Sequence, residues 1–184
     1  MSISETSKQF LLNTARKVIE NRDKNLKIDK ENVPDDCKET RAVFVTLTKN
    51  GELRGCIGHL EPIQEIYKDV IDNAFSAAFR DPRFEPLESS ELDEIKIEIS
   101  ILSLPKKLDY VNSNDLLEKL NVGKDGVIIS KGAYGATFLP QVWEQLPEKE
   151  DFLSHLCSKA GLKYDEWKLG KLEVEIYSVE CFEE

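Results

Sequence analysis

A chain of 184 residues has the size of one domain or of two fused halves, and it is long enough to bury a hydrophobic core without disulfide or metal staples. A formal net charge of -10 repels a phosphate backbone, which disfavours nucleic acid as a partner. No apolar run reaches the roughly 18 residues of a membrane helix, and the polar start Met1-Ser2-Ile3-Ser4-Glu5-Thr6 is no secretory signal, so a soluble cytoplasmic protein is expected. Cys37, Cys56, Cys157 and Cys181 are scattered, with no C-x-x-C pair; they read as reduced thiols.

Ser4 or Ser7 can cap a first helix, in which Leu11, Ala15 and Val18 follow at helical spacing. Residues 24–38 are polar and carry Pro34-Asp35-Asp36, which reads as a loop. A run rich in β-branched residues, 42–48, and a second run, 53–58, flank Asn50-Gly51, a strong hairpin signal because both turn residues tolerate positive φ. Pro62 suits the first turn of a second helix, and Ile63, Ile66, Val70, Ala74 and Ala77 form its apolar stripe. Asp81-Pro82-Arg83-Phe84 ends that helix. Ile95, Ile97, Ile99 and Ile101 then alternate with Lys96, Glu98 and Ser100 as a half-buried strand.

The order then repeats. A short helix over 113–120 precedes a strand over 126–130. A turn at Gly132-Ala133-Tyr134-Gly135 leads to a second strand over 136–140. A helix over 148–160 follows, with Gly161 as its C′ residue, and a last strand runs over 172–177. Each half reads helix, hairpin, helix, strand. The expected fold is α+β, with mostly antiparallel sheets, packed helices and an internal duplication, as one domain with possible halves 1–110 and 111–184.

Leu53-Arg54-Gly55-Cys56-Ile57-Gly58-His59 is the segment most suggestive of chemistry. Glycine within a strand marks a bulge or the close approach of another backbone or ligand. Cys56 has two readings: a packing residue, as buried thiols often are, or a functional thiol with Arg54 favouring its thiolate. His59 can serve as base only if a bulge intervenes, since positions 56 and 59 of a regular strand face opposite ways. Asp81 and Arg83 read either as a substrate clamp or as a local pair in a turn. Gln141 is a ligand-binding candidate, and Trp143 either stacks on a ligand or anchors the core. Gly132 and Gly135 read as an anion nest or a tight turn. His59 and His155 fall in no zinc-type spacing, and there is no P-loop, dinucleotide fingerprint or Gly-x-Ser-x-Gly elbow; neither metal nor cofactor is expected.

The Leu53–Gly58 stretch resembles the signature of the AMMECR-type domain family, protein A of the AmmeMemoRadiSam system. Phe44-Val45-Thr46-Leu47, Asp81-Pro82-Arg83-Phe84, Ile99-Ser100-Ile101-Leu102, Gly123-Lys124-Asp125-Gly126, Leu139-Pro140-Gln141-Val142 and residues 156–162 agree in order, so the resemblance runs from Phe10 to Phe182. One departure is Arg41-Ala42-Val43, where the family often has a small residue or glycine. The resemblance implies an α+β fold with a duplicated element, and Memo-like and radical-SAM proteins as partners; it implies no settled activity. Cys56, Arg54 and His59 are the catalytic candidates, and Thr46, Gly55, Gly58, Asp81, Arg83 and Gln141 the substrate-binding ones. The functional expectation is handling of a small polar substrate, or help in a maturation or modification pathway. Its alternative is a non-catalytic adaptor for those partners.

Overall fold

Ser4 opens the first helix, α1 (Glu5–Asn21), by accepting the Ser7 N–H on its side chain. The structure is a computed structural model and describes residues 2–184. Leu11, Ala15, Val18 and Ile19 line the buried stripe of α1. Strands β1 (Val43–Lys49) and β2 (Glu52–Gly58) follow as a hairpin, turned by Asn50 at φ 54° and Gly51 at φ 83°. Helix α2 (Ile66–Phe79) and strand β3 (Ile95–Leu102) complete the first half of the order. The second half holds β4 (Lys106–Lys107), α3 (Ser113–Lys119), β5 (Gly126–Lys131), β6 (Tyr134–Phe138), α4 (Lys149–Lys159) and β7 (Glu173–Tyr177). Strand β8 (Val179–Glu183) closes the chain.

The strands form two antiparallel sheets, ordered β2-β1-β3-β8 and β4-β7-β5-β6. Reversing the second gives β6-β5-β7-β4, the same plan: a hairpin whose first strand pairs with the strand that follows the helix. The fourth strand of each sheet is exchanged. After β3 the chain enters the second sheet as β4, and after β7 it returns to the first as β8. The backbone accordingly divides into two compact units, one running to Leu102 and including Glu180–Glu184, the other Ser103–Val179.

In the first unit the alternation of β1 and β3 sends Val43, Val45, Leu47, Ile97, Ile99 and Ile101 to one face, where they bury against α1 and α2. Each such side chain contributes about 1.5–3 kcal/mol. In the second unit Phe152 of α4 is fully buried and stacks on Trp143, with ring centroids 3.6 Å apart. The Trp143 indole donates to the Asp125 carbonyl at 2.7 Å, so this tryptophan is a core anchor.

Four local expectations change. Helix α2 starts at Ile66 rather than at Pro62, and Ile63 is exposed. Tertiary contacts overrule the proline signal: Glu65 is extended and bridges Thr40, and the Ile66 N–H donates to the Glu39 carbonyl at 2.9 Å. The 24–38 segment contains two 3-10 turns, Lys30–Asn32 and Asp35–Lys38, that bury Val33 and Cys37 beside it. The β5–β6 turn is Gly132-Ala133 alone; Tyr134 and Gly135 already belong to β6. Finally, β7 is not the last strand, because β8 follows after Ser178.

Candidate functional site

Strand β2 lies at the edge of its sheet, so alternate residues direct their N–H and C=O groups away from β1. Cys56 is one of these. It stands opposite Thr46 on β1, its N–H donates to Asp81 Oδ2 at 2.9 Å, and its carbonyl accepts from an Arg83 guanidinium nitrogen at 3.1 Å. The turn that ends α2 thus stands in for a neighbouring strand at this one residue. Both side chains of the turn are paired: Arg83 also donates twice to the Asp81 carboxylate, at 2.9 and 2.7 Å. Asp81 is buried, and the Arg83 bonds hold its carboxyl well below the usual carboxylate range.

A pair whose backbone groups point outward brings its side chains close. The Thr46 hydroxyl accordingly donates to the Cys56 sulfur at 3.3 Å. Glu98 of β3 lies opposite Thr46 on the same face of the sheet, the face turned away from α1 and α2. Cys56, Thr46 and Glu98 are half-buried.

Glycines frame this position on both faces. A Cβ on Gly55 would lie 2.1 Å from the Ala77 carbonyl oxygen of α2, so this residue lets the helix backbone reach the strand. A Cβ on Gly58 would meet the Phe44 ring at 2.3 Å, on the face that carries Cys56. The bulge that glycine in a strand suggests is also present, but it falls at Arg54: Leu47 pairs with Gly55 and Thr48 with Leu53, leaving Arg54 unpaired.

The bulged Arg54 makes a two-pronged bond to Glu91, at 2.9 Å on each oxygen, and does not turn to the thiol. Glu91 also accepts from Lys49 and from the Glu88 N–H. The Arg54 bonds are the main reason its carboxyl is held down to about 2. Glu91→Gln breaks the charge pairing while keeping the shape; thermal or urea unfolding should show a loss of about 1–2 kcal/mol.

No register shift separates Cys56 from His59, so His59 falls on the α2 side and pairs with Asp69, Nδ1 to Oδ1 at 2.7 Å, not with Cys56. Gln141 lies exposed on a 3-10 turn (Pro140–Glu144) of the second unit. The first unit thus brings together Cys56, Thr46, Asp81 and Arg83, with Gly55 and Gly58 as their frame. Arg54 and His59 are directed elsewhere. Glu91, Asp69 and Glu98 escaped the sequence reading; the alternation of β3 was the one signal that could have put Glu98 on the Thr46 face.

The remaining cysteines differ from Cys56. Cys37 and Cys157 are fully buried, and burial pushes the Cys37 thiol up to about 11 and raises that of Cys157. Cys181 is exposed as a residue, yet its sulfur lies 3.2 Å from the Ser100 hydroxyl and its pKa too is raised by burial. Among the described residues no helix is long and apolar enough to cross a membrane, and no three of His, Cys, Asp and Glu gather as a metal-binding group.

The family model AMMECR1 matches residues 12–182. The chain is 40% identical to Protein MK0488 of Methanopyrus kandleri over 96% of its own length and 87% of that protein's. It is likewise 40% identical to Protein MJ0810 of Methanocaldococcus jannaschii, over 95% of this chain and 89% of that one. The crystal structure of the uncharacterized protein PH0010 from Pyrococcus horikoshii superposes with a TM-score of 0.81 at 35% identity, covering 99% of this chain and 93% of that one.

Proposed function

The chain belongs to the AMMECR1 family, and we propose that the face of its first sheet around Cys56 binds a small polar ligand, with the Cys56 thiol and the Thr46 hydroxyl as the contacting groups. The observation that carries this reading is how the bonds at Cys56 are divided. Both of its backbone groups are held at the outer edge of β2 by Asp81 and Arg83, while its thiol meets the Thr46 hydroxyl on a half-buried polar face. Such fixing holds a thiol at a set position, which lowers the entropy lost when a ligand binds. Turnover is not assigned. A thiol nucleophile needs an adjacent base, and His59 is turned to Asp69.

Native mass spectrometry tests the reading. Wild-type protein incubated with a low-molecular-weight cell extract should retain a bound molecule, and Cys56→Ser or Thr46→Val should lose it. Retention of the same molecule by both variants would overturn the assignment.

The same pairing favours a second reading, the adaptor acting with Memo-like and radical-SAM partners. Arg54, Asp81 and Arg83 are all engaged in holding the fold, which leaves no complete catalytic set. For an adaptor, Cys56→Ser leaves association with those partners unchanged.

A further inference from the structure

The side of the first sheet that faces α2 holds a second arrangement, independent of the thiol. Asp69 is fully buried on α2 and serves as an acceptor for three donors: the Val43 N–H at 3.1 Å, the Gln64 amide at 3.0 Å and His59 Nδ1 at 2.7 Å. A carboxylate in this role can only accept, so the contact fixes a proton on Nδ1 and leaves the Nε2 lone pair of the neutral ring free. Asn73 donates to the Val43 carbonyl at 3.1 Å, and its amide nitrogen lies 3.4 Å from Nδ1, well outside the 2.7 Å contact that Asp69 makes with the same ring nitrogen. Nε2 makes no hydrogen bond to any described residue, and the His59 side chain is 37% exposed.

One carboxylate oxygen, Oδ1, holds both His59 and Gln64, closing the 59–64 segment into a loop. Leu60 and Ile63 are exposed on that loop, at 47% and 58%. A buried carboxylate that fixes the tautomer of a half-exposed imidazole is the arrangement that prepares histidine to take a proton.

We infer that His59 and Asp69 form a proton-accepting site, separate from Cys56, for an uncharged ligand that presents an O–H or N–H group from an apolar body. The ligand donates its hydrogen to Nε2. If the proton is transferred it moves onto Nε2, the electron pair stays on the ligand oxygen or nitrogen, and the ring keeps its Nδ1 contact with the Asp69 side chain. The apolar body lies against the loop that carries Leu60 and Ile63.

The test begins on the unmodified protein, with His155 as an exposed internal control. Nitrogen-15 NMR near pH 8 should show His59 with its proton on Nδ1 and a bare Nε2. Diethyl pyrocarbonate should modify His59 at Nε2 at least as fast as it modifies His155. In Asp69→Asn the amide nitrogen can donate to Nδ1, so the proton moves to Nε2 and modification slows about ten-fold. Gln64→Ala opens the loop tether but keeps the His59–Asp69 bond; tautomer and rate should stay unchanged. Titration with phenol, an O–H donor on an apolar ring, should shift the Nε2 resonance and the Leu60 and Ile63 methyls to saturation. A proton on Nε2 in the unmodified protein, or a phenol titration that moves none of these signals, would overturn the inference. A tautomer that changes in Gln64→Ala would likewise overturn it, leaving Asp69 as a loop fastening. None of these readouts depends on Cys56, so failure here is distinct from failure at the thiol.

Discussion

Gly55→Ala should lose about 3 kcal/mol or more of folding stability, a large fraction of what a domain of this size holds. The added methyl would sit 2.1 Å from the Ala77 carbonyl oxygen, and that neighbour is helix backbone, which cannot rotate aside as a side-chain tip would. Either α2 is pushed off the strand, breaking the contacts of Val70, Ala74 and Ala77, or β2 separates from β1. Two other glycines give controls. At Gly51 an added Cβ meets nothing, but φ is +83°, so alanine there should cost about 1 kcal/mol through backbone strain alone. At Gly135 the nearest atom is 3.4 Å away in ordinary contact, and alanine should change stability by less than about 0.5 kcal/mol. Urea unfolding of the three variants checks the order. A Gly55→Ala variant as stable as Gly135→Ala would mean that α2 does not rest on the strand backbone.

Asp81→Ala should cost about 3 kcal/mol. It removes the acceptor of the Cys56 N–H and of the Arg83 N–H, and it strips Arg83 of its partner beside the edge strand. Asp81→Asn keeps one acceptor and should cost less. Acid acts on the same group. Because the folded-state pKa of Asp81 is depressed, its contribution is fully present above the unfolded value of about 3.9 and is lost as pH falls toward the folded value. Glu91 behaves in the same way, from an unfolded value of about 4.3 down to about 2. Stability should therefore fall below about pH 4, and the wild type should lose more between pH 4 and pH 2 than Asp81→Asn does. Chemical unfolding at a series of pH values measures this. Parallel curves for the two proteins would show that Asp81 is not paired in the folded state.

Local physics in the sequence carried the scaffold. Asn50-Gly51 marked its turn, the isoleucines of β3 showed their alternation, and Gly161 stands at φ 76° where α4 ends. What the sequence could not show are contacts whose partners lie far along the chain. Pro62 signals a helix start only when nothing else holds the following residues, and Thr40 and Glu39 hold them extended. Strand β8 was hidden because Val179-Glu180-Cys181-Phe182 follows β7 after one residue, with no turn signal to show that the chain changes sheets.

The candidate site divides along the same line. That Cys56 and His59 face opposite ways follows from the two-residue period of a strand, which was legible. That Arg54 belongs to Glu91 was not, because 37 residues separate them and a bulge had to turn the side chain outward. Asp81 and Arg83 were legible as a local pair; their hold on both backbone groups of Cys56 required knowing that β2 is an edge.

If the fold presents the Cys56 thiol, site-resolved alkylation will show it. The intact protein is treated with iodoacetamide near pH 7.5, and the modified fraction at each cysteine is followed by peptide mass spectrometry. Cys56 should react fastest, ahead of Cys181 and about a hundred-fold or more ahead of the buried Cys37 and Cys157, whose raised pKa values leave little thiolate. A Cys56 that reacts as slowly as Cys37 and Cys157 would make it a packing residue, and the account of this face as a binding site would fail.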